Sequence, residues 1–429
     1  MNAISAFAPA ALKAGFPGLA GGWHYLDTAA TAQKPQAVID ATVRAMGADY
    51  ATVHRGVYAR SADMTLAFEA AREKVASLIG APAQELVFTR GATEAINLVA
   101  YSYPKKGRVL LSLLEHHSNI VPWQLAGWQI DVCPLTADGQ IDLDAAEAML
   151  TPEHTMVAFA HVSNVLGSVL DARRAAELAH RVGAKLLLDG CQAVPRLEID
   201  VAELGCDFYA FSSHKLYGPT GIGALWGRAA LLDAMPPWQG GGAMIDRVSF
   251  AGTTYALPPQ RFEAGTPAII EAIGFGAAAD YVRSVGLAAI HAHETALVSS
   301  LRAALRSFAK PLSEPSNASR TARKSSAMRS PFCISARSPA SDSSSPSCGA
   351  NRRNSVTACS SHSRSRAAFS SASRALSSFA LASCHAAKSP DTDAVSQRPK
   401  ASSSARWPRG FRRPRSWLMM MTVWGYFCR

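Results

Sequence analysis

Residues 207–223 read DFYAFSSHKLYGPTGIG. A short apolar strand, Phe208 to Phe211, leads into Ser212, Ser213, His214 and Lys215. Gly218, Pro219, Gly221 and Gly223 then suit a tight loop rather than a helix. A lysine delivered by a buried strand into a polar loop is suited to imine chemistry. Partial burial lowers an ammonium pKa, and the free amine is the form that attacks an aldehyde. The neighbouring hydroxyls and imidazole can bind a phosphate. Alone, Ser-x-His-Lys also fits a surface lysine in a hairpin, so the surrounding chain has to decide.

That chain alternates between two periodicities. Apolar runs predict strands at 85–89, 109–113, 130–134, 156–160 and 185–188, besides the one at 208–211. Helical spacing predicts helices at 35–50, 61–79, 91–100, 143–150, 172–182, 269–285 and 287–308, with Ser61 capping the second. Near-continuous apolar strands separated by helices predict an α/β fold, a mostly parallel sheet with helices on both faces. Ligands of such sheets bind outside the carboxyl ends of the strands. Thr93, His117, Asn164, Asp189 and the run 212–215 all fall at such ends.

Several of these ends carry a local reason for chemistry. Gly91-Ala92-Thr93 opens a helix, so free amides, the helix dipole and a hydroxyl can meet an anion. His116 and His117 follow a strand with no third metal ligand at a familiar spacing. They read either as a flat ring stacked on another flat ring or as ordinary loop histidines. Asp189 at the end of a buried strand needs a cationic or donor partner, and a protonated pyridine nitrogen would serve. Cys191 reads as a small packing residue. His54-Arg55-Gly56 suits either an anionic substrate or a solvated loop.

The formal net charge of +11 belongs to one segment. Residues 1–310 hold 24 basic and 28 acidic side chains, whereas 311–429 hold 19 and 4 together with 30 serines. The basic balance is therefore no sign that the main body binds nucleic acid or membrane. Cys133, Cys191 and Cys206 lie in the body, and Cys333, Cys348, Cys359, Cys384 and Cys428 in the basic segment. The three in the body show neither metal-ligand spacing nor a disulfide framework. No charged region precedes an apolar run at the N-terminus, and the apolar runs are too short to span a bilayer. A reduced, cytoplasmic compartment is expected.

Between about Tyr25 and Phe308 the chain carries YLDTAATAQKP, HRGVYARS, TRGATEAINLVA, EHHSNIVPW, HVSNVLG, LLLDGCQAVP, FSSHKLYGPTGIG, GGGAMI and RFEAGTP. In these stretches it resembles the SUF-type branch of the cysteine desulfurase and selenocysteine lyase family. These are fold-type I pyridoxal-phosphate enzymes among the class V aminotransferases. The resemblance implies a large cofactor-binding domain over 25–285, with 1–24 belonging to a smaller α/β domain. Residues 286–310 would begin the C-terminal part of that small domain, which is incomplete here. Residues 311–429 would be a Ser/Arg-rich low-complexity tail.

The resemblance also implies roles and partners. Lys215 would hold the pyridoxal 5′-phosphate aldehyde and shuttle a proton, and His117 would stack on the ring. Asp189 would pair with the ring nitrogen, and Gln192 would contact the phenolic oxygen with Asn164 nearby. Ala92, Thr93, Ser212 and His214 would hold the phosphate, and Thr266 would reach the phosphate of the other subunit of a homodimer. No metal is implied. The implied reaction converts L-cysteine, or L-selenocysteine in the sister activity, to alanine. A catalytic cysteine takes the sulfur as a persulfide and passes it to an acceptor protein of the SUF system for iron–sulfur cluster assembly.

The resemblance stops at about Lys310. The family's catalytic cysteine lies in a Gly-His-His-Cys-Ala-like loop, with a carboxylate-binding arginine a few residues earlier, and neither motif occurs here. The tail composition fits a GC-rich gene read in the wrong frame, or a basic tail for nucleic acid or an acidic partner. The expectation is a chain that binds the cofactor but releases little or no sulfide. The alternatives are another fold-type I enzyme, or a non-catalytic cofactor-binding remnant with a nucleic-acid-binding tail.

Overall fold

A computed structural model describes residues 8–22 and 24–308. The expectations for 311–429, with its five cysteines, lie outside the described residues. All described residues belong to one of the two units into which the chain divides, residues 1–321.

Nine strands form among the described residues: β1 Leu86–Thr89, β2 Arg108–Ser112, β3 Gln129–Cys133, β4 His154–Ala160, β5 Lys185–Asp189, β6 Phe208–Ser212, β7 Gly223–Gly227, β8 Ile245–Ser249 and β9 Gly252–Tyr255. The first seven make one sheet in the order β1-β7-β6-β5-β4-β2-β3. From β6 to β3 every pairing is parallel, and β7 runs antiparallel to both β6 and β1. β8 and β9 pair antiparallel outside that sheet. This is the mostly parallel α/β sheet that the sequence predicts.

Side chains in a strand point alternately to opposite faces. Val109, Leu111, Leu187, Phe208 and Ala210 enter one apolar cluster, packed with Ile96 and Val99 of the helix Ala92–Ser102. Leu110, Leu186, Leu188, Tyr209 and Phe211 enter the other, with Leu178 of the helix Ala172–Arg181 and Phe275 of the helix Ile269–Val285. A strand apolar at every position needs cover on both sides, and these helices supply it.

The helix Ile269–Val285 packs on the helices Gln36–Met46 and Ala59–Ser77. Gly276 permits the approach, since a methyl group there would stand 2.8 Å from the Cβ of Ala71. Ser61 does not cap its helix, which begins at Ala59. It lies buried in the first turn and donates its hydroxyl to the Thr52 carbonyl at 2.8 Å. Gly286, at φ 88°, separates Val285 from the following helix Leu287–Phe308.

Candidate active site

β6 ends at Ser212, and the next three residues form a 3-10 turn, Ser213–Lys215. Ser212 pairs with Gly223 of β7, and the Ser213 amide donates to the Ile222 carbonyl at 3.1 Å, so the turn is closed as a hairpin. Lys215 is half-buried. Its ammonium is close enough to His116, His214 and Cys191 to bear on their protonation. The carbonyl before it, that of His214, accepts from the Ala32 amide at 2.9 Å, Lys34 Nζ at 3.1 Å and Thr31 Oγ1 at 3.3 Å. Burial lowers the Lys34 ammonium to about 8. An N-terminal strap therefore grips the lysine turn from outside the sheet.

Asp189 closes β5 and is buried. In the ladder it stands opposite Ala160 of β4 and Ala210 of β6, and its Oδ1 accepts the Cys191 amide at 3.0 Å. Beneath the turn lies Tyr209, whose hydroxyl is 2.9 Å from Nδ1 of His161. Burial lowers the His161 ring to about 4 and pushes the Tyr209 phenol well above its usual range. Both groups are therefore neutral near pH 7 and add no charge beside Asp189.

β2 leads into a 3-10 turn, His117–Asn119. His116 caps it, its Nδ1 accepting the Ser118 amide at 3.2 Å. His117 is thereby presented exposed at the head of the turn. Ser118 Oγ lies 2.7 Å from Thr93 Oγ1, which ties the turn to the helix Ala92–Ser102. The Ala92 amide donates to Ser212 Oγ at 2.9 Å, leaving the serine's own hydrogen for a ligand. The ends of β2, β5 and β6 and the start of that helix thus meet.

A cavity of about 620 Å³ opens here, lined by Gly91, Thr93, Ser212, His214, Gly221 and Trp238. A neighbouring cavity of about 520 Å³ shares Arg90, Gly221 and Trp238 and contains Thr266 in its wall. Asn164 and Gln192 line a different one, of about 400 Å³, with Arg196 and residues of the helix Leu287–Phe308. Gln192 Nε2 donates to the Ala29 carbonyl at 2.8 Å, and its Oε1 accepts from Arg196 at 3.1 Å. The structure thus brings Thr93, Ser212 and His214 onto one cavity and places Asn164 with Gln192 on another. Thr266 is exposed in the adjoining cavity.

The family described as Aminotransferase class-V matches residues 24–329. The chain belongs to the class-V aminotransferases. Among curated relatives of this class-V chain, a cysteine desulfurase of Dickeya dadantii is 52% identical over 297 residues, covering 67% of this chain and 71% of the relative. One from Serratia proteamaculans is 49% identical, covering 64% and 70%. The crystal structure of the cysteine desulfurase CsdA from Escherichia coli aligns with a TM-score of 0.66 at 40% identity, covering 70% and 78%. The apo cysteine desulfurase of Thermococcus onnurineus aligns with a TM-score of 0.68 at 35% identity, covering 73% and 80%.

As a fold-type I class-V aminotransferase, the chain has pyridoxal 5′-phosphate as its cofactor. The residues present fit it. A buried strand-end carboxylate, Asp189, suits a ring nitrogen, and a half-buried amine, Lys215, suits an aldehyde. The Thr93 and Ser212 hydroxyls suit a phosphate at the 620 Å³ cavity. Lys34, Glu115, His161 and Tyr209 carry no role legible in the sequence alone. An ionisable residue at the end of an apolar strand, as Glu115 is after β2, was the available signal for one of them.

Proposed function

We propose that this class-V aminotransferase is by descent a cysteine desulfurase, taking L-cysteine to L-alanine with sulfur leaving as a protein-bound persulfide for iron–sulfur cluster assembly. The observation that carries this is the meeting of Lys215, Asp189 and the His117 turn at the carboxyl ends of β6, β5 and β2. When bound, pyridoxal phosphate supplies an electron sink that acidifies the substrate Cα–H. The chain's own groups do the rest. Lys215 Nζ anchors the cofactor and carries the proton taken from Cα. Asp189 holds positive charge at the ring nitrogen, and His117 offers a flat ring to stack. Ala92, Thr93, Ser212 and His214 would hold the phosphate, and Gln192 would contact the phenolic oxygen with Asn164 nearby.

Sulfur transfer also needs a thiolate. Cys133, Cys191 and Cys206 are the cysteines among the described residues, and all are buried and free. Burial pushes the Cys133 thiol up to about 11 and the Cys206 thiol up to about 12. Burial, with Asp189 beside it, raises Cys191 further still. A thiol held protonated at neutral pH is a poor nucleophile. We therefore expect sulfide release far below that of the relatives, in keeping with a tail over 311–429 that stands in place of the family's cysteine and arginine motifs. A homodimer in which Thr266 serves the neighbouring site is part of the same proposal. The exposed Val57, Phe250 and Leu257 support it, being apolar surface in need of cover.

The test is direct. Full-length protein titrated with pyridoxal phosphate should develop visible absorption that Lys215→Ala lacks, and L-cysteine with an added thiol reductant should then yield alanine and sulfide only slowly. Identical colourless spectra for the two proteins would remove the cofactor assignment. A keto acid product would make the activity a transamination, and selenide from L-selenocysteine with no sulfide from L-cysteine would make it a selenocysteine lyase. Strong colour with no product at all would favour a cofactor-binding protein without turnover, the reading to which the three buried thiols lend weight.

A further inference from the structure

Glu115 follows β2, is buried, and has no part in the chemistry above. Its Oε1 accepts the Ala160 amide at 3.0 Å, at the end of β4, and lies 2.5 Å from Ser112 Oγ, at the end of β2. Its Oε2 accepts Nδ2 of Asn119 at 2.7 Å. Asn119 cannot be turned over to change that. Its Oδ1 accepts the Trp123 indole N–H at 3.1 Å, and Nδ2 also donates to the Ala158 carbonyl at 3.2 Å. An indole only donates and a carbonyl only accepts, so the flipped amide would face like with like.

Both oxygens at position 115 therefore have to accept. A glutamine would set its NH2 against either the Ala160 amide or Asn119 Nδ2, donor to donor. The acidic side chain is specified by its surroundings. Asn119 ends the turn that begins with His117, and Ala160 stands opposite Asp189 in the ladder. One carboxyl thus joins the support of His117 to the row of strand ends that holds Asp189.

We propose that Glu115 is a positioning residue for the cofactor site, holding the His117 turn against the ends of β2 and β4; this rests on the pyridoxal-phosphate assignment. Burial raises the Glu115 carboxyl to about 7, Asp189 adds repulsion, and the bonds from Ser112, Asn119 and Ala160 oppose the rise. Asp189, on β5, is the charged group that acts on it from the neighbouring strands. A cation held by Asp189 would relieve that repulsion and favour ionised Glu115. By reciprocity, ionised Glu115 favours binding of the cation.

Cofactor dissociation constants and the circular dichroism of the bound cofactor, measured on full-length protein across neutral pH, test this. Glu115→Gln should weaken pyridoxal-phosphate binding about tenfold, the effect of a mispaired buried donor, and diminish the induced dichroism. Ser112→Ala removes a bond that lowers the Glu115 pKa, so the pH midpoint of binding should move upward. The cofactor's own ionisations are common to every variant and cancel in that comparison. A Glu115→Gln protein with wild-type affinity and dichroism would overturn the proposal, as would an unmoved midpoint in Ser112→Ala. If Glu115→Gln does not fold, Ser112→Ala decides alone. If the parent protein binds no cofactor, the assignment beneath the proposal falls, and the proposal with it.

Discussion

Gly190 lies so close to Tyr209 that a methyl group at 190 would stand 2.0 Å from Cε1 and 2.6 Å from the phenolic oxygen. The ring cannot retreat easily, because Tyr209 is fully buried and its hydroxyl contacts His161. Gly190→Ala should therefore cost about 1–3 kcal/mol of stability, as over-packing in a dense core does. It should also weaken cofactor binding by displacing Asp189. Chemical denaturation measures the first and cofactor titration the second. An alanine variant with parental stability would show that Tyr209 has room to move.

Two buried groups set opposing pH dependences. His161 titrates near 4 in the fold against an ordinary 6.5, so its contribution to stability is present above 6.5 and lost as pH falls towards 4. Glu115 titrates near 7 against 4.5, so its contribution is present below 4.5 and lost as pH rises towards 7. Each effect is of order 3 kcal/mol. Between pH 4.5 and 6.5 they cancel in large part. Removing the acid with Glu115→Gln should expose a slope of stability rising with pH over that window. The same slope in the parent would refute the cancellation.

Arg72 is 2% exposed and makes two hydrogen bonds to Glu263, at 2.5 and 3.0 Å, while also holding Glu69 and the Leu86 carbonyl. Glu263 in turn accepts the Phe88 amide at 2.7 Å, which fixes the loop leading to Thr266. Arg72→Met strands the Glu263 carboxylate and should cost about 3–5 kcal/mol. Urea unfolding checks this, and a loss no larger than that of a surface ion pair would contradict it.

Alkylation distinguishes buried, protonated thiols from a reactive one. In native protein treated with an alkylating agent near neutral pH, the peptides containing Cys133, Cys191 and Cys206 should stay unmodified, and they should label once the protein is unfolded. Native labelling of Cys191 at the rate of a free thiol would restore it as a candidate nucleophile.

Much of the sheet was legible because burial on both faces writes itself as uninterrupted apolar runs, such as Leu186-Leu187-Leu188, with a polar residue where each run ends. Asp189 and Lys215 stood out for the same reason, as ionisable groups where such runs stop. β8 and β9 left no such mark, since nearly all their side chains are exposed. β7 begins and ends with glycine and blended into the loop before it. Ser61 reads as a cap because serine favours that position, whereas its partner in the structure, Thr52, belongs to the preceding loop. Glu115 and Lys34 could not be interpreted from sequence, because Ala160 lies 45 residues from the first and His214 lies 180 from the second.

The hairpin around Lys215 has a mechanical result. Its main chain is bolted to adjacent rungs of one sheet through Ser212 with Gly223 and Ser213 with Ile222, and the strap from Ala32 and Lys34 braces it from the other side. The backbone there has nowhere to swing. Any travel of the amine between a bound and an unbound partner falls to the methylene arm alone, a tether moving from a stationary post.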